Sequence, residues 1–391
     1  MTGSVLFYVQ HLLGIGHLRR ALRIVDALAH EGIRVTLVSG GEPFAELICP
    51  SAERVLQLSP IKARDAEFKE LVDRAGQPVD ERLRSARRTT LLTAFATASP
   101  DAVLIEAFPF GRRAFRFELD ALICAASALR PKPLVLCSLR DIVVAPQDQK
   151  RRQGIVDQVR ANFDCVLVHG DPNFIPLEAS FPLASEIADR LVYTGYVGDT
   201  EDEEGGEEAA DGKDEVLVSA GGGAVGGALL STALEVRRRG CMADLKWRLL
   251  TGPNLPEVEF GALASNLPGG VVLERFRREF PQMLRQCRIS ISQAGYNTVL
   301  DILEARTPAV VVPFAAQRET EQSMRAERLA ARGALELVRE SELSPKRLAE
   351  AMDRVLAQRP KAVAIDTKGA RCTAAIIGEM IRTRKLLLTS G

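Results

Sequence analysis

Short runs of β-branched and apolar residues recur along this chain, separated by longer stretches whose apolar positions return every three or four residues. In the first half, residues 5–9, 35–38, 54–58, 102–106, 134–138 and 165–169 predict strands. Residues 18–30, 81–98 and 112–129 predict helices between them. The alternation restarts near residue 216, with strands predicted at 216–219, 247–250, 271–274, 289–292, 309–312 and 336–338. A strand followed by a helix, repeated, is the mark of βαβ units and parallel sheets.

At 391 residues the chain exceeds what one hydrophobic core usually supports. The fold expected is α/β: two Rossmann-like, doubly wound domains. An acidic stretch separates the two sets of units. Residues 199–215 carry ten acids and one lysine, too much charge and too little apolar surface to order by themselves. The expected organisation is a first domain over 1–198, a linker or mobile loop over 199–214, a second domain over 215–369, and a helix over 370–391 that packs back on the first domain. In sheets of this kind ligands lie off the carboxyl ends of the strands, so functional residues should follow strands directly.

Apolar residues make up 46% of the chain and charged residues 26%, ordinary for a packed protein. The formal charge of zero hides an asymmetry, because the acidic stretch holds −9 and the remainder about +9. A basic body suits phosphate-bearing ligands or an anionic membrane surface; scattered, solvated Lys and Arg explain it equally. Nothing in the pattern points to nucleic acid, and oligomeric state is left open. The seven cysteines form no CxxC pair and read as buried, reduced thiols. The four histidines lack metal-ligand spacing, so no metal site is expected. With no signal core and no apolar run near the ~20 residues of a membrane span, the expectation is a cytoplasmic protein, peripheral at most to the inner face of the membrane.

Two glycine-bearing segments in the second half carry chemistry. Ser219, Gly221, Gly222 and Gly223 directly follow a strand and precede a helix. Glycines let a ligand approach the backbone, and the helix N-terminus offers unpaired N–H groups to phosphate; a flexible turn is the plainer reading. Gln293, Gly295, Asn297, Thr298 and Asp301 repeat the strand-to-helix context with neutral hydrogen-bonding groups. Asp301, within the first helical turn or so, is placed to accept ribose hydroxyls or only to complement the helix dipole.

The segment from Gln293 to Asp301 resembles the donor site of GT-B glycosyltransferases, which in plant enzymes reads His-Cys-Gly-Trp-Asn-Ser-Thr-Leu-Glu. The resemblance continues through Thr307-Pro308, Val311 to Phe314, and Glu321-Gln322 with Arg325-Ala326. The chain is similar in layout to the bacterial enzymes that add N-acetylglucosamine to lipid-linked peptidoglycan precursor, and to bacterial predicted glycosyltransferases related to them. This resemblance implies a cleft between the two domains. It also implies that Phe276 and Arg277 flank the nucleotide base and that Glu321 and Gln322 contact the donor sugar. Gln293 stands where the family has a phosphate-contacting His, and Arg325 where it has Asn.

In the first half, Gly14, Gly16 and His17 follow the first strand and open a helix. The helix dipole disfavours the imidazolium there and keeps the ring available as a base. Taken alone, a histidine after a strand is more often a capping or core residue than a base. The GT-B resemblance makes His17 the catalytic base and Glu106, at the end of a strand, the acid that orients it. Arg140, Asp141 and His169 also follow strands on the ligand-facing edge, and Arg140 with Asp141 reads equally as an internal salt bridge. The stretch 108–117, which includes Arg112, mixes Phe and Arg and forms either an acceptor or membrane surface or core phenylalanines with solvated arginines.

Together these readings give an inverting, metal-independent glycosyltransferase that moves a sugar from a nucleoside diphosphate donor, a UDP-sugar favoured, to a hydroxyl acceptor. Metal independence is inferred from the lack of Asp-x-Asp pairs near the phosphate loops. The alternatives are a nucleotide-sugar hydrolase or epimerase on the same fold, and a non-catalytic nucleotide-sugar-binding protein. No cofactor is expected.

Overall fold

The first strand, Ser4–Val9 (β1), is buried at every position, so both faces of its sheet must be covered. The structure is a computed structural model and describes residues 3–12, 14–44, 49–64, 70–198, 211–222, 226–315, 320–358 and 360–389. The chain divides into two units, Met1–Thr200 with Ile365–Gly391, and Glu201–Ala364.

In the first unit β1 leads to α1 (Gly16–His30), β2 (Arg34–Ser39), β3 (Arg54–Gln57), a small antiparallel pair β4 (Ile61–Ala63) and β5 (Leu71–Asp73), and α2 (Glu81–Ala98). Then come β6 (Ala102–Glu106), α3 (Arg116–Ala128), β7 (Leu134–Arg140), α4 (Gln149–Asn162), β8 (Cys165–His169) and β9 (Leu191–Tyr193). The seven-stranded sheet runs β3-β2-β1-β6-β7-β8-β9, parallel throughout. Leu6 and Tyr8 of β1 face a core completed by α2, α3 and α4. Val5, Phe7 and Val9 face the opposite way, onto a core built from α1 and the C-terminal helix. The sequence pattern had no signal for β4, β5 or β9, which are too short to show a period. The predicted helix over 112–129 starts later: Arg112 lies in the left-handed region and α3 begins at Arg116.

The second unit comprises β10 (Val216–Ser219), α5 (Gly227–Arg238), β11 (Trp247–Leu250), α6 (Glu257–Ala264), β12 (Val271–Glu274), α7 (Phe280–Gln286) and β13 (Ile289–Ser292). It continues through α8 (Tyr296–Ala305), β14 (Ala309–Val311), α9 (Glu321–Ala331), β15 (Glu336–Leu337) and α10 (Pro345–Ala357). Its six-stranded parallel sheet runs β12-β11-β10-β13-β14-β15. The chain then returns to the first unit as α11 (Gly369–Thr389), whose Ala370, Ala374, Ile377 and Ile381 bury against the α1 face.

Residues 199–210 of the expected linker lie outside the described residues. Residues 211–214 are not a loose tether. Asp211 pairs with Arg248 at 2.7 Å, Arg277 at 3.0 Å and Lys246 at 3.3 Å, and the Asp214 N–H donates to the Gln286 carbonyl. Counter-charges on β11 and after β12 order acidic residues that could not order themselves. All seven cysteines are free thiols, but only Cys137 and Cys165 are buried, and Cys124 is exposed. The phenylalanines at 108, 110 and 115 are core, and Arg113 and Arg116 are exposed, as the second reading of this stretch expects.

One buried ion pair ties the ends of several elements in the first unit. Arg87 on α2 and Glu118 on α3 are both fully buried and pair at 2.6 Å. The Tyr8 hydroxyl also donates to Glu118 (2.5 Å), and Arg87 donates to Gln10 Oε1 (2.8 Å) and to the carbonyls of Gly40 (2.9 Å) and Ser59 (2.6 Å). A Cβ at Gly40, just after β2, would lie 2.1 Å from Gln10 Oε1, so a side chain there would displace Gln10 from this network. Removing one partner leaves the other charge buried and unpaired, so Arg87→Met is expected to cost about 3 kcal/mol or more. The test is denaturant unfolding followed by two probes. Far-UV circular dichroism should show an earlier transition, while the fluorescence transition of Trp247, the single tryptophan and buried in the second unit, stays in place.

Candidate functional site

In each sheet the chain winds outward in two directions from one central gap. That gap is between β1 and β6 in the first unit and between β10 and β13 in the second. At such a switch point the loops that leave adjacent strands diverge and open a crevice at the carboxyl ends. The loops after these four strands contain Gly14 to His17, Glu106 to Arg112, Ser219 to Gly226 and Gln293 to Gly295, so most of the sequence-predicted residues gather at the two switch points.

In the first unit His17 and Glu106 meet across the gap, His17 Nδ1 lying 2.8 Å from Glu106 Oε1. Gly16 is the first residue of α1, Ile15 caps it without a side-chain bond, and His17 is in the first turn. Glu106, the last residue of β6, is fully buried. Its Oε1 also accepts from Arg20 Nη2, and its Oε2 accepts from the Ser138 hydroxyl. Ser138 Oγ lies 2.9 Å from His169 Nε2, and His169 Nδ1 lies 2.9 Å from Thr194 Oγ1. A relay of buried polar groups therefore runs from His17 through β6, β7 and β8.

The electrostatics follow from this burial. Desolvation, with Arg112 next in weight, lowers His17 from 6.5 to about 3, against the raising effect of Glu106. Desolvation likewise lowers His169 to about 3. Burial would raise the Glu106 carboxyl, but Arg20, the bond to His17 and the Ser138 hydroxyl outweigh it and hold Glu106 below the ordinary range. Desolvation also lowers Arg112 to about 10; its Nε donates to the Gln10 carbonyl at 2.6 Å. Between Glu106 and Arg112 the chain keeps two non-glycine residues at positive φ, Ala107 at 64° and Arg112 at 60°. Strain of this kind collects where a fold fixes a functional turn.

With Nδ1–H donated to the Glu106 carboxylate, Nε2 of His17 carries the lone pair, and no described residue bonds to it. His17 retains 19% side-chain exposure. A neutral imidazole, oriented on one nitrogen and open on the other, is equipped to accept a proton.

Other acceptor-side expectations change. Asp141 is fully buried, with the Tyr196 hydroxyl donating to its Oδ2 at 3.1 Å, so it is interior rather than ligand-facing. His169 is fully buried as well and sits behind Glu106. Arg140, the last residue of β7, is half-buried.

In the second unit the two glycine segments adjoin. The Gln293 N–H donates to the Ser219 carbonyl at 3.1 Å, the Gly221 N–H to Ser219 Oγ at 3.2 Å, and Asn254 Nδ2 to the Gly222 carbonyl at 2.9 Å. Gly223 lies outside the described residues. Gly226, at φ 137°, cannot be replaced without strain, because a Cβ would meet the Ala220 Cβ at 2.4 Å. Helices α5 and α8 carry glycine at their N-caps, Gly226 and Gly295, with no side-chain cap bond, and a helix start is where backbone N–H groups can meet a phosphate. Asn297 and Thr298 are half-buried in the first turn of α8.

Three donor-site expectations meet a different geometry. Asp301 lies in the second turn of α8, not the first, and is 2% exposed. Glu321 is buried in an ion pair with Arg325 at 2.9 Å. Gln322 Oε1 accepts from the backbone N–H of Ala294 and of Phe314, both at 3.0 Å. Arg325, which stands in place of Asn, donates to the Ala294 carbonyl at 3.1 Å. The start of α9 thus staples together the loops after β13 and β14. Arg277 is held by Asp211, Glu274 and Glu279 at 3.0–3.2 Å, while Phe276 beside it is half-buried. Among the described residues no three His, Cys, Asp or Glu side chains cluster to hold a metal ion.

Residues 217–375 match the glycosyltransferase family 28 C-terminal domain, a stretch that takes in both glycine segments and the start of α9. The chain has the GT-B fold, and the family 28 match covers less than half of its 391 residues. It is 35% identical over 96 residues to the UDP-N-acetylglucosamine–N-acetylmuramyl-(pentapeptide) pyrophosphoryl-undecaprenol N-acetylglucosamine transferase of Brucella anthropi. That match spans only 25% of this chain and 25% of the relative. Over the whole length the fold is similar to Acinetobacter baumannii MurG, with TM-score 0.55 and 18% identity, covering 97% of this chain and 99% of that one. It is also similar to the calicheamicin glycosyltransferase, with TM-score 0.58 and 18% identity, covering 98% and 94%. At these identities the likeness establishes fold.

Sequence reasoning missed Arg20, Ser138 and Thr194 as parts of the first site and named Arg325 only as a departure from the family's Asn. Arg20 had a signal: three residues after His17 on a helix, it shares a face with it.

His17, partly buried, and His169, fully buried, make the first unit acid-sensitive. Both have native values near 3 against 6.5 unfolded, so the unfolded chain binds protons first as pH falls. Their stabilisation is complete above 6.5 and drains away toward 3, each at about 1.4 kcal/mol per pH unit. Urea midpoints by circular dichroism at pH values between 7 and 5 should fall on acidification, and His169→Gln should flatten that fall.

Proposed function

We propose that the protein is an inverting, metal-independent glycosyltransferase that uses a nucleoside diphosphate sugar, a UDP-sugar favoured, and a hydroxyl acceptor. The observation that carries this reading is the His17–Glu106 pair at one switch point of a chain whose other switch point presents two uncapped helix N-termini and a glycine loop. The family 28 match over 217–375 and the UDP-N-acetylglucosamine in the name of the Brucella anthropi relative support a UDP-sugar at the second unit.

Glu106 orients the imidazole through Nδ1, and Nε2 accepts the proton of the acceptor hydroxyl. The freed oxygen attacks the anomeric carbon on the face opposite the diphosphate. A glycosidic bond forms as the bond from the anomeric carbon to the diphosphate oxygen breaks, and its electron pair leaves with the nucleoside diphosphate. Backbone N–H groups at the starts of α5 and α8, with Asn297 and Thr298, offset the charge that develops on that leaving group without a metal ion. The proton on His17 then passes to water. A lipid-linked or polysaccharide acceptor and a peripheral, cytoplasmic place at the membrane fit the same reading.

Calorimetric titration with UDP, GDP and dTDP tests the donor side. UDP is expected to bind, and His17→Ala to bind it equally while transfer falls about 10²- to 10⁴-fold. Binding of no nucleotide by folded protein overturns the reading. Release of free sugar in the absence of any acceptor, lost in His17→Ala, moves it to a hydrolase.

A further inference from the structure

A buried carboxylate against one imidazole nitrogen does two things at once. It orients the ring, and it favours a proton on the far nitrogen, because the imidazolium neutralises it. The second effect works against a base, which must reach its substrate unprotonated. In this protein Glu106 has another cation. Arg20, one turn after His17 on α1 and only 2% exposed, donates from Nη2 to Glu106 Oε1, the oxygen that also faces His17 Nδ1. The same Nη2 lies 3.3 Å from His17 Nδ1. Ser138 occupies the other carboxylate oxygen, so three donors from α1 and β7 converge on a group with no exposure to water.

Building on the assignment of His17 as the base, we propose that Arg20 is a positioning residue that neutralises Glu106, so that the carboxylate fixes the imidazole through Nδ1–H without drawing a second proton onto Nε2. Orientation requires only a hydrogen bond, whereas a net negative charge beside the ring raises its affinity for a second proton. Arg20 removes the charge and leaves the bond.

Of the other groups near His17, Arg112 acts in the same direction as Arg20. Arg112, in the turn after β6, adds a second positive charge, and Arg140 on β7 and Tyr8 on β1 act on Arg112 in turn. His169 on β8 stands behind Ser138 and is itself held neutral. Among these groups Glu106 is the one carboxylate that favours an imidazolium at His17, and Arg20 is the cation bonded to it. The lowering of His17 to about 3 agrees with this arrangement.

The test is an NMR titration of the histidine ring signals from about pH 8 to about pH 5, with His17 assigned by its loss in His17→Gln. In the wild type the His17 signal should keep the shifts of a neutral ring throughout. In Arg20→Gln its midpoint should rise by about two units or more, from about 3 into the range. Arg20→Lys, which restores a charge, should bring it back down. A His17 titration in Arg20→Gln that matches wild type overturns the proposal. So does an imidazolium at about pH 6 in the wild type, a result that decides the matter even if Arg20→Gln fails to fold. The base assignment fails separately: His17→Ala with full transfer would end it and leave these titrations, and the hold of Arg20 on Glu106, intact.

Discussion

Every strand of the two large sheets runs parallel to its neighbours, and this constraint places all the chemistry. Parallel neighbours cannot be joined by a tight turn, so each connection crosses a face of the sheet, in most cases as a helix. Strand ends and helix starts then collect along one edge, where N–H groups are unpaired and positive potential gathers. The chain must also reverse its winding somewhere, and at the reversal two loops part. In this protein those partings fall between β1 and β6 and between β10 and β13. His17 lies at the first and the starts of α5 and α8 at the second.

Buried charge is the second theme. Glu106 with Arg20, Glu118 with Arg87, Glu321 with Arg325, and Glu215 with Arg248 are pairs in which one or both partners are almost wholly hidden from water. Such pairs give little net stability against apolar substitutes. What they supply is fixity, because a hidden charge tolerates few positions of its partner. The Arg87–Glu118 pair pins the ends of β1 and β2, and the Arg325–Glu321 pair pins the loops after β13 and β14. The ends of β1 and β13 border switch points, so these two pairs flank the sites, whereas Glu106 and Arg20 lie within one.

The fold was legible because its strands are buried on both faces and read as apolar runs, and because His17 and Glu106 sit at strand ends where the pattern places ligand chemistry. The donor segment was legible only by motif, and a motif names residues without their orientation. Asp301, Glu321 and Gln322 occupy family positions, yet here they point into the protein's own interior or hold its backbone. The departure at Arg325 accounts for part of this: a long cation in place of a small amide needs a carboxylate, and Glu321 four residues earlier supplies it. The linker was misjudged at its far end for a related reason. Composition measures what a segment can bury by itself, whereas Asp211 and Glu215 are ordered by Arg248, more than thirty residues away.

The route of the chain through α11 makes the second unit an insertion within the first. Leu22, Val25 and Leu28 of α1 share a core with Ala374, Ile377 and Ile381, which the ribosome adds only after all of β10 to α10. At about 5–20 residues per second, the α1 face stays uncovered for many seconds while the second unit is made. The first unit therefore begins folding first and is completed last. Loss of residues beyond 364 would strip a layer from its core rather than trim a tail.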